Sequence, residues 1–267
     1  MRCCGGGGEE EVALIDNTLF GTVDKVEIAI ARLREFEPEE GYYVAFSGGK
    51  DSVVILDLVK RAGVKYDAHY NLTMVDPPEL VRFIREQHPK VEWNRPEKTM
   101  WQLIVKNGIP PTRLIRYCCA ELKEGGGVGR VVITGIRWAE SVKRSKRGVV
   151  DNCLKRHIRY LRPIIDWTDA NVWEYIRINN IPYCSLYDEG FKRLGCIMCP
   201  MGNKNGMRRD AKRWPKYYAT YLRTFKRMLE EREKKGLPMP WQTAEDVMHW
   251  WIYSQPKGDP DQGVLFE

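Results

Sequence analysis

Apolar positions along the first two hundred residues switch between a helical period near 3.6 and short unbroken runs, the pattern of helices alternating with buried strands. Val23, Val26, Ile30 and Leu33 share one face of a helix over Val23–Phe36, and Pro38–Gly41 breaks it. Tyr42–Phe46 is a short β-prone run that ends at a Gly-Gly pair. Val53–Val59 behind it is apolar enough for a buried helix, closed by Gly63. Tyr66–Met74 predicts a strand, Pro78–His88 a helix with proline at its start, Val91–Trp93 a short strand and Thr99–Lys106 another helix. Arg130–Thr134 is the clearest buried strand. His157–Ile165 is extended, and Thr168–Asn179 predicts a helix with Thr168 as its N-cap. This alternation implies the α/β class, a doubly wound, mostly parallel sheet covered on both faces. Beyond Gly190 the pattern changes to a cysteine-bearing loop followed by helices near Pro215–Lys235 and Thr243–Ser254. The expected organisation is a flexible arm over 1–22, an α/β unit over 23–200, a helical region over 201–255 and a loose tail over 256–267.

Composition narrows the class. The 267 residues are 43% hydrophobic, enough for one sizeable core. No run of about 18 apolar residues occurs, so no membrane span is expected, and the start lacks the apolar stretch of a secretory signal. A cytoplasmic protein follows. Eight cysteines in such a chain point to metal binding or redox chemistry rather than disulfides. The net charge of +7 is uneven: Phe191–Lys235 carries 14 Lys/Arg against 4 Asp/Glu, and Arg137–Arg162 carries 9 against 2. Two such segments suit nucleotide phosphates or nucleic acid; a solvated helix surface is the alternative.

The chemistry centres on Ser47-Gly48-Gly49-Lys50-Asp51-Ser52. Two glycines after a strand let the backbone turn sharply and approach a ligand without a Cβ in the way. The following helix aims its free N–H groups and positive dipole end at the same point, which suits phosphate. Ser47 and Ser52 add hydroxyls and Lys50 a cation. Asp51 is out of place beside an anion unless it orients amides or helps to hold Mg²⁺. Neither the Gly-x-x-x-x-Gly-Lys-Ser/Thr loop nor the Gly-x-Gly-x-x-Gly fingerprint is present here.

Two cysteine pairs, Cys118-Cys119 and Cys196-x-x-Cys199, form the second signal. A Cys-x-x-Cys loop presents two thiolates to one metal, and a second pair completes a four-thiolate shell. A [4Fe-4S] cluster, a Cys₄ zinc site and inert thiols are the three readings, and Lys123 with nearby arginines would offset the negative charge of a cluster. Cys153 and Cys184 are isolated small hydrophobes. Cys3 and Cys4 form a vicinal dithiol on a glycine-rich arm that swings to an active site, carries a persulfide or has no role.

The Ser-Gly-Gly-Lys-Asp-Ser loop resembles the PP-loop of the adenine nucleotide α-hydrolases, a superfamily that includes the N-type ATP pyrophosphatases and the PAPS reductase family. Asn71–Glu79 is similar to the segment that lines the adenosine pocket there, which implies a contact from Thr73. Gly135-Ile136-Arg137-Trp138-Ala139-Glu140-Ser141-Val142-Lys143-Arg144 resembles the family's Gly-x-Arg…Glu-Ser…Arg segment, implying nucleotide binding by Gly135, Glu140 and Ser141. Arg137, after a buried strand, and Arg144 would grip phosphate or sulfate with guanidinium forks. The cysteine spacing matches APS reductases that bind [4Fe-4S], with Cys118, Cys119, Cys196 and Cys199 as ligands. Those enzymes attack sulfur with a cysteine in a C-terminal Glu-Cys-Gly-x-His segment, and no cysteine follows Cys199 in these 267 residues. The expectation is therefore an ATP-using enzyme that releases pyrophosphate and inserts sulfur into an acceptor. Lys50, Asp51, Arg137 and Arg144 would act on ATP·Mg²⁺, and a cysteine desulfurase would supply sulfur. The acceptor is expected to be nucleic acid (tRNA or DNA), met by Arg208–Lys235 with Trp214, Tyr217, Tyr218 and Tyr221 interleaved for stacking. A sulfonucleotide reductase acting on APS or PAPS, and a non-catalytic nucleotide-binding Fe–S partner protein, are the alternatives.

Overall fold

The computed structural model describes residues 14–18 and 21–254. Cys3 and Cys4 and the expected tail over 256–267 lie outside the described residues. A six-stranded sheet forms the centre, from β3 (Tyr42–Ala45), β4 (Tyr66–Asn71), β5 (Glu92–Asn94), β6 (Val131–Ile133), β7 (Val150–Cys153) and β8 (Ile158–Leu161), in the order β5-β4-β3-β6-β8-β7. All neighbours run parallel except β7, which pairs antiparallel with β8 at the edge. The order reverses beside β3, so ligands are expected outside the carboxyl ends of β3 and β6.

Alternating residues of the strands face opposite sides. Tyr42, Val44, Ala68, Tyr70, Ile133 and Leu161 enter the main core. That face is covered by α1 (Lys25–Glu35), α2 (Lys50–Ala62) and α7 (Asp169–Ile178), with α1 and α7 both packed on α2. Tyr43, Val132 and Ile158 form a smaller cluster on the other face. A side chain at Gly126 would collide with Tyr43, and one at Gly127 with Val132. Thr168 closes a capping box on α7 as expected, and Thr99 closes another on α4 (Met100–Asn107). Gly63 ends α2 in the left-handed region, at φ 72°.

Several elements escaped the hydrophobic pattern. Ile15–Thr18 (β1) and Gly21–Asp24 (β2) pair as a hairpin, so the expected arm is structured at its inner end, and Val23 belongs to a strand rather than to the first helix. Strand β4 stops at Asn71 because Thr73–Asp76 forms a turn, with the Thr73 N–H donating to the Asp76 carboxylate at 2.8 Å and Met74 at φ 66°. Strand β7, Val-Asp-Asn-Cys, is a polar edge strand without alternation. The short helices α5 (Tyr117–Leu122) and α6 (Val142–Ser145) lack the length for a period. Helix α3 (Pro78–Gln87) follows β4, and the described residues end in α8 (Lys204–Arg213), α9 (Pro215–Lys234) and α10 (Ala244–His249), which runs into a π-helical turn at Trp250–Ser254. Helix α9 packs on α4 and α10, and Trp251, fully buried between Tyr221 and Phe225, donates its indole N–H to the Pro111 carbonyl.

Candidate nucleotide site and cysteine chamber

The glycine loop occupies the carboxyl end of β3. Gly48 sits at φ 70°, and a Cβ there would come within 2.7 Å of Leu80 and 2.8 Å of Ile84, so the loop hugs α3. Gly49 caps α2 with no side-chain bond, and the Ser52 and Val53 N–H groups donate back to its carbonyl at 2.9 and 3.1 Å. The Ser52 hydroxyl donates back to the Gly49 carbonyl at 2.8 Å and holds the turn, with Ser47 beside it. The Lys50 N–H donates to the Tyr187 hydroxyl at 2.8 Å, so a tyrosine from a distant loop stands at the helix end.

Four charged side chains meet next to this loop. Arg137 is 2% exposed and donates through Nε to Asp51 Oδ1 and through Nη2 to Asp169 Oδ1, both at 2.7 Å, and through Nη1 to the Trp167 carbonyl at 3.3 Å. Lys50 Nζ lies 3.2 Å from Asp169 and 3.4 Å from Asp51. Gly135 makes this possible, since a Cβ there would stand 2.9 Å from that of Asp51. Burial raises the Asp169 carboxyl, but Arg137 and Lys50 outweigh it and hold the group below the usual carboxylate range. The two cations expected to face phosphate are thus balanced by two carboxylates. Asp169 went unmarked in the sequence because an acid in the first turn after a threonine cap is fully explained by the helix dipole.

Arg144 stays outside this network. It pairs with Glu140, whose carboxylate also accepts the Arg137 N–H at 2.9 Å, while Ser141 caps α6 by accepting the Arg144 N–H. Glu140 and Ser141 therefore shape the segment behind Arg137. Thr73 is 1% exposed, and its hydroxyl accepts from the Cys196 thiol at 3.6 Å and from the Val75 N–H at 3.3 Å. Its hydroxyl is turned towards Cys196.

Helix α5 brings Cys118 and Cys119 to the turn bearing Cys196 and Cys199, and all four line one cavity of about 30 Å³ with Met100, Tyr221 and Trp251. A hydrogen bond with Cys119, then burial and the other thiols, push the Cys118 thiol far up. The same bond with Cys118, against burial and aided by Arg116 and Lys123, lowers the Cys119 thiol. Burial pushes the Cys196 thiol up, while the nearby Cys196 sulfur, against burial and with help from Asp76, pushes the Lys123 ammonium up. Four thiols converging between two cations have the donor chemistry of a metal–sulfur centre. Among the described residues, no three His, Cys, Asp or Glu side chains are grouped closely enough to hold a single metal ion. A cleft of about 470 Å³ adjoins the chamber, with Lys123, Cys196 and Cys199 among its walls together with Phe191 and Arg209.

The basic C-terminal helices are largely self-engaged. Arg208 lies over the Tyr253 ring, Arg209 over Phe191, and Arg213 pairs with Glu79 and Glu189. Trp214 and Tyr221 are buried, and the Tyr217 hydroxyl donates to the Asp76 carbonyl. Trp214 and Tyr221, expected to stack on bases, belong to the core.

An anion-directed glycine loop at the carboxyl end of a central parallel strand defines an α/β nucleotide-binding domain. Residues 41–202 match the phosphoadenosine phosphosulfate reductase domain, and the chain belongs to that family. An uncharacterized protein of Methanocaldococcus jannaschii is 34% identical over 193 residues, which are 65% of this chain and 40% of that protein. A second from the same organism is 30% identical over 199 residues, 68% of this chain and 47% of that one, so the chain spans less than half the length of these two relatives. The adenosine 5'-phosphosulfate reductase of Oceanobacillus iheyensis is 27% identical over 181 residues, 64% of this chain and 75% of that enzyme. Among solved structures, the phosphoadenylyl-sulfate reductase of Candida auris in its phosphate complex aligns with a TM-score of 0.48 and 20% identity, over 65% of this chain and 88% of that one. No helix of the described residues is long and apolar enough to cross a membrane.

Proposed function

We propose that the chain binds ATP·Mg²⁺ with its phosphates on the Ser47–Ser52 loop and activates an acceptor, a nucleic acid, for sulfur insertion with release of pyrophosphate. The observation that carries this reading is the pair Asp51 and Asp169 beside Lys50 and Arg137. A metal-free anion would meet two repelling carboxylates there, whereas a triphosphate arriving with Mg²⁺ gives each group a partner. Asp51 and Asp169 would hold the Mg²⁺. Lys50 and Arg137 would then stabilise the charge that develops on the phosphates as an acceptor oxygen attacks the α-phosphorus and the bond to pyrophosphate breaks. The α2 amides orient the phosphates, with the Tyr187 hydroxyl moving off the first of them.

Cys118, Cys119, Cys196 and Cys199 would hold a [4Fe-4S] cluster, which when bound supplies the sulfur and electron chemistry that side chains lack. Lys123 and Arg116 offset its charge, and a cysteine desulfurase would be the sulfur source. A second reading, a sulfonucleotide reductase that converts APS or PAPS to sulfite and an adenine nucleotide, is favoured by the named activity of the Oceanobacillus relative. Anaerobic incubation with ATP·Mg²⁺ and, separately, with APS and PAPS decides between them. Pyrophosphate formed from ATP in the presence of acceptor supports the first reading; sulfite formed from APS or PAPS refutes it in favour of the second.

A further inference from the structure

The segment that follows Arg137 carries a surface that the nucleotide site does not use. Trp138 is one residue beyond the buried Arg137, yet its indole is 40% exposed. The residue is held at its backbone and at its indole. Its backbone N–H donates to the Ile165 carbonyl at 2.7 Å and its indole N–H to the Arg147 carbonyl at 2.8 Å. Val142, 69% exposed, lies on the short helix between them. Around this platform stand Lys143, Arg144, Lys146 and Arg147. Arg144 is paired with Glu140, and Arg147 lies 3.7 Å from Asp151. Lys143 and Lys146 are exposed and have no carboxylate partner among the described residues.

An exposed tryptophan locked in orientation costs little entropy to stack upon, and cations one turn away neutralise a phosphate backbone. The α8–α9 surface offers cations too, but Trp214 and Tyr221 are buried there and Arg213 is paired. We propose that the rim Trp138–Arg147 is the docking site for a single-stranded nucleic acid, one base stacked on Trp138 and the flanking phosphates on Lys143 and Lys146. This rests on the reading of the acceptor as nucleic acid and adds where it binds: on the segment that directly follows Arg137 in the chain. The rim presents cations and an aromatic face, the combination that fits a strand of bases and phosphates.

The test uses the full chain and fluorescein-labelled oligouridine and oligothymidine of about twelve residues, followed by anisotropy across a salt series. Trp138→Ala should weaken binding about five- to 150-fold, the range for losing one base–aromatic stack, and Trp138→Phe should restore most of it. Lys143→Ala/Lys146→Ala should lower the slope of log K against log salt by about 1.4, at ~0.7 per phosphate on a single strand. Preference for one of the two probes tells RNA from DNA. Unchanged affinity and slope in these variants overturn the proposal. So does loss of binding in Arg208→Ala/Lys212→Ala alone, or displacement by polyglutamate with no effect of Trp138→Ala, the result for a protein partner. ATP·Mg²⁺ binding by the same preparations keeps the two readings apart. Intact ATP binding without oligonucleotide binding removes the rim and leaves the nucleotide site standing, and the reverse removes the nucleotide reading alone.

Discussion

Asp169→Asn is the substitution that best interrogates the nucleotide site. It keeps the side-chain volume and the Thr168 cap but removes one of two carboxylates facing Lys50 and Arg137. A unit charge about 5 Å from a phosphate is worth about 1 kcal/mol in water and about 3 kcal/mol at an effective dielectric near 20. Because the Asp169 side chain is 62% exposed, the lower figure applies. Affinity for metal-free APS should therefore rise about fivefold in the variant. ATP·Mg²⁺ should move the other way, by about tenfold or more, since one of two carboxylate ligands for the ion is lost. Calorimetric titration of each ligand into wild type and variant reads both changes. If ATP·Mg²⁺ binds the variant as well as wild type, Asp169 holds no metal and the ATP reading loses its support. If APS affinity fails to rise, the carboxylate was not competing for Lys50 and Arg137 at all.

Gly48→Ala adds a Cβ at φ 70° against Leu80 and Ile84 and should cost about 2–4 kcal/mol, read by urea unfolding, with loss of nucleotide binding. A full-stability Gly48→Ala protein would contradict the packing described. Burial against Phe46 and Phe83, with the charge of Lys60, pushes His88 down to about 4. Its folded value lies below the unfolded one near 6.5, so its contribution is complete above about pH 6.5 and is lost as pH falls towards 4. His88→Gln should flatten the difference in urea stability over that window, and an unchanged pH dependence would refute the assignment. Cys196→Ser should remove the iron and acid-labile sulfide of anaerobically prepared protein; a colourless wild type carrying zinc would refute the cluster instead.

How much was legible beforehand varied with the range of the interaction. The helix that follows the glycine loop, the cap at Thr168 and the Gly63 terminus are local, set by dihedral preference and by bonds within four residues, so they showed in the chain itself. The Ser47–Ser52 loop was legible for the same reason: strand, turn and helix N-terminus are contiguous. The family was written in those motifs as well. Placement was another matter. Asp169 reaches Arg137 across 32 residues, Tyr187 reaches the Lys50 amide across 137, and Thr73 reaches Cys196 across 123. Each contact depends on which strands become neighbours, information held by the whole core and by no single segment.

The sequence alone therefore determined the α/β alternation, the anion-directed loop and the two cysteine pairs, because backbone conformation and side-chain chemistry are local properties. Only the tertiary structure decided that Lys50 and Arg137 are balanced by carboxylates and that four thiols share one chamber. It also decided that Trp214 and Tyr221 are core while Trp138 is surface. Burial and charge compensation are set by neighbours distant in the chain, and these arise only when the sheet and its helices close around them.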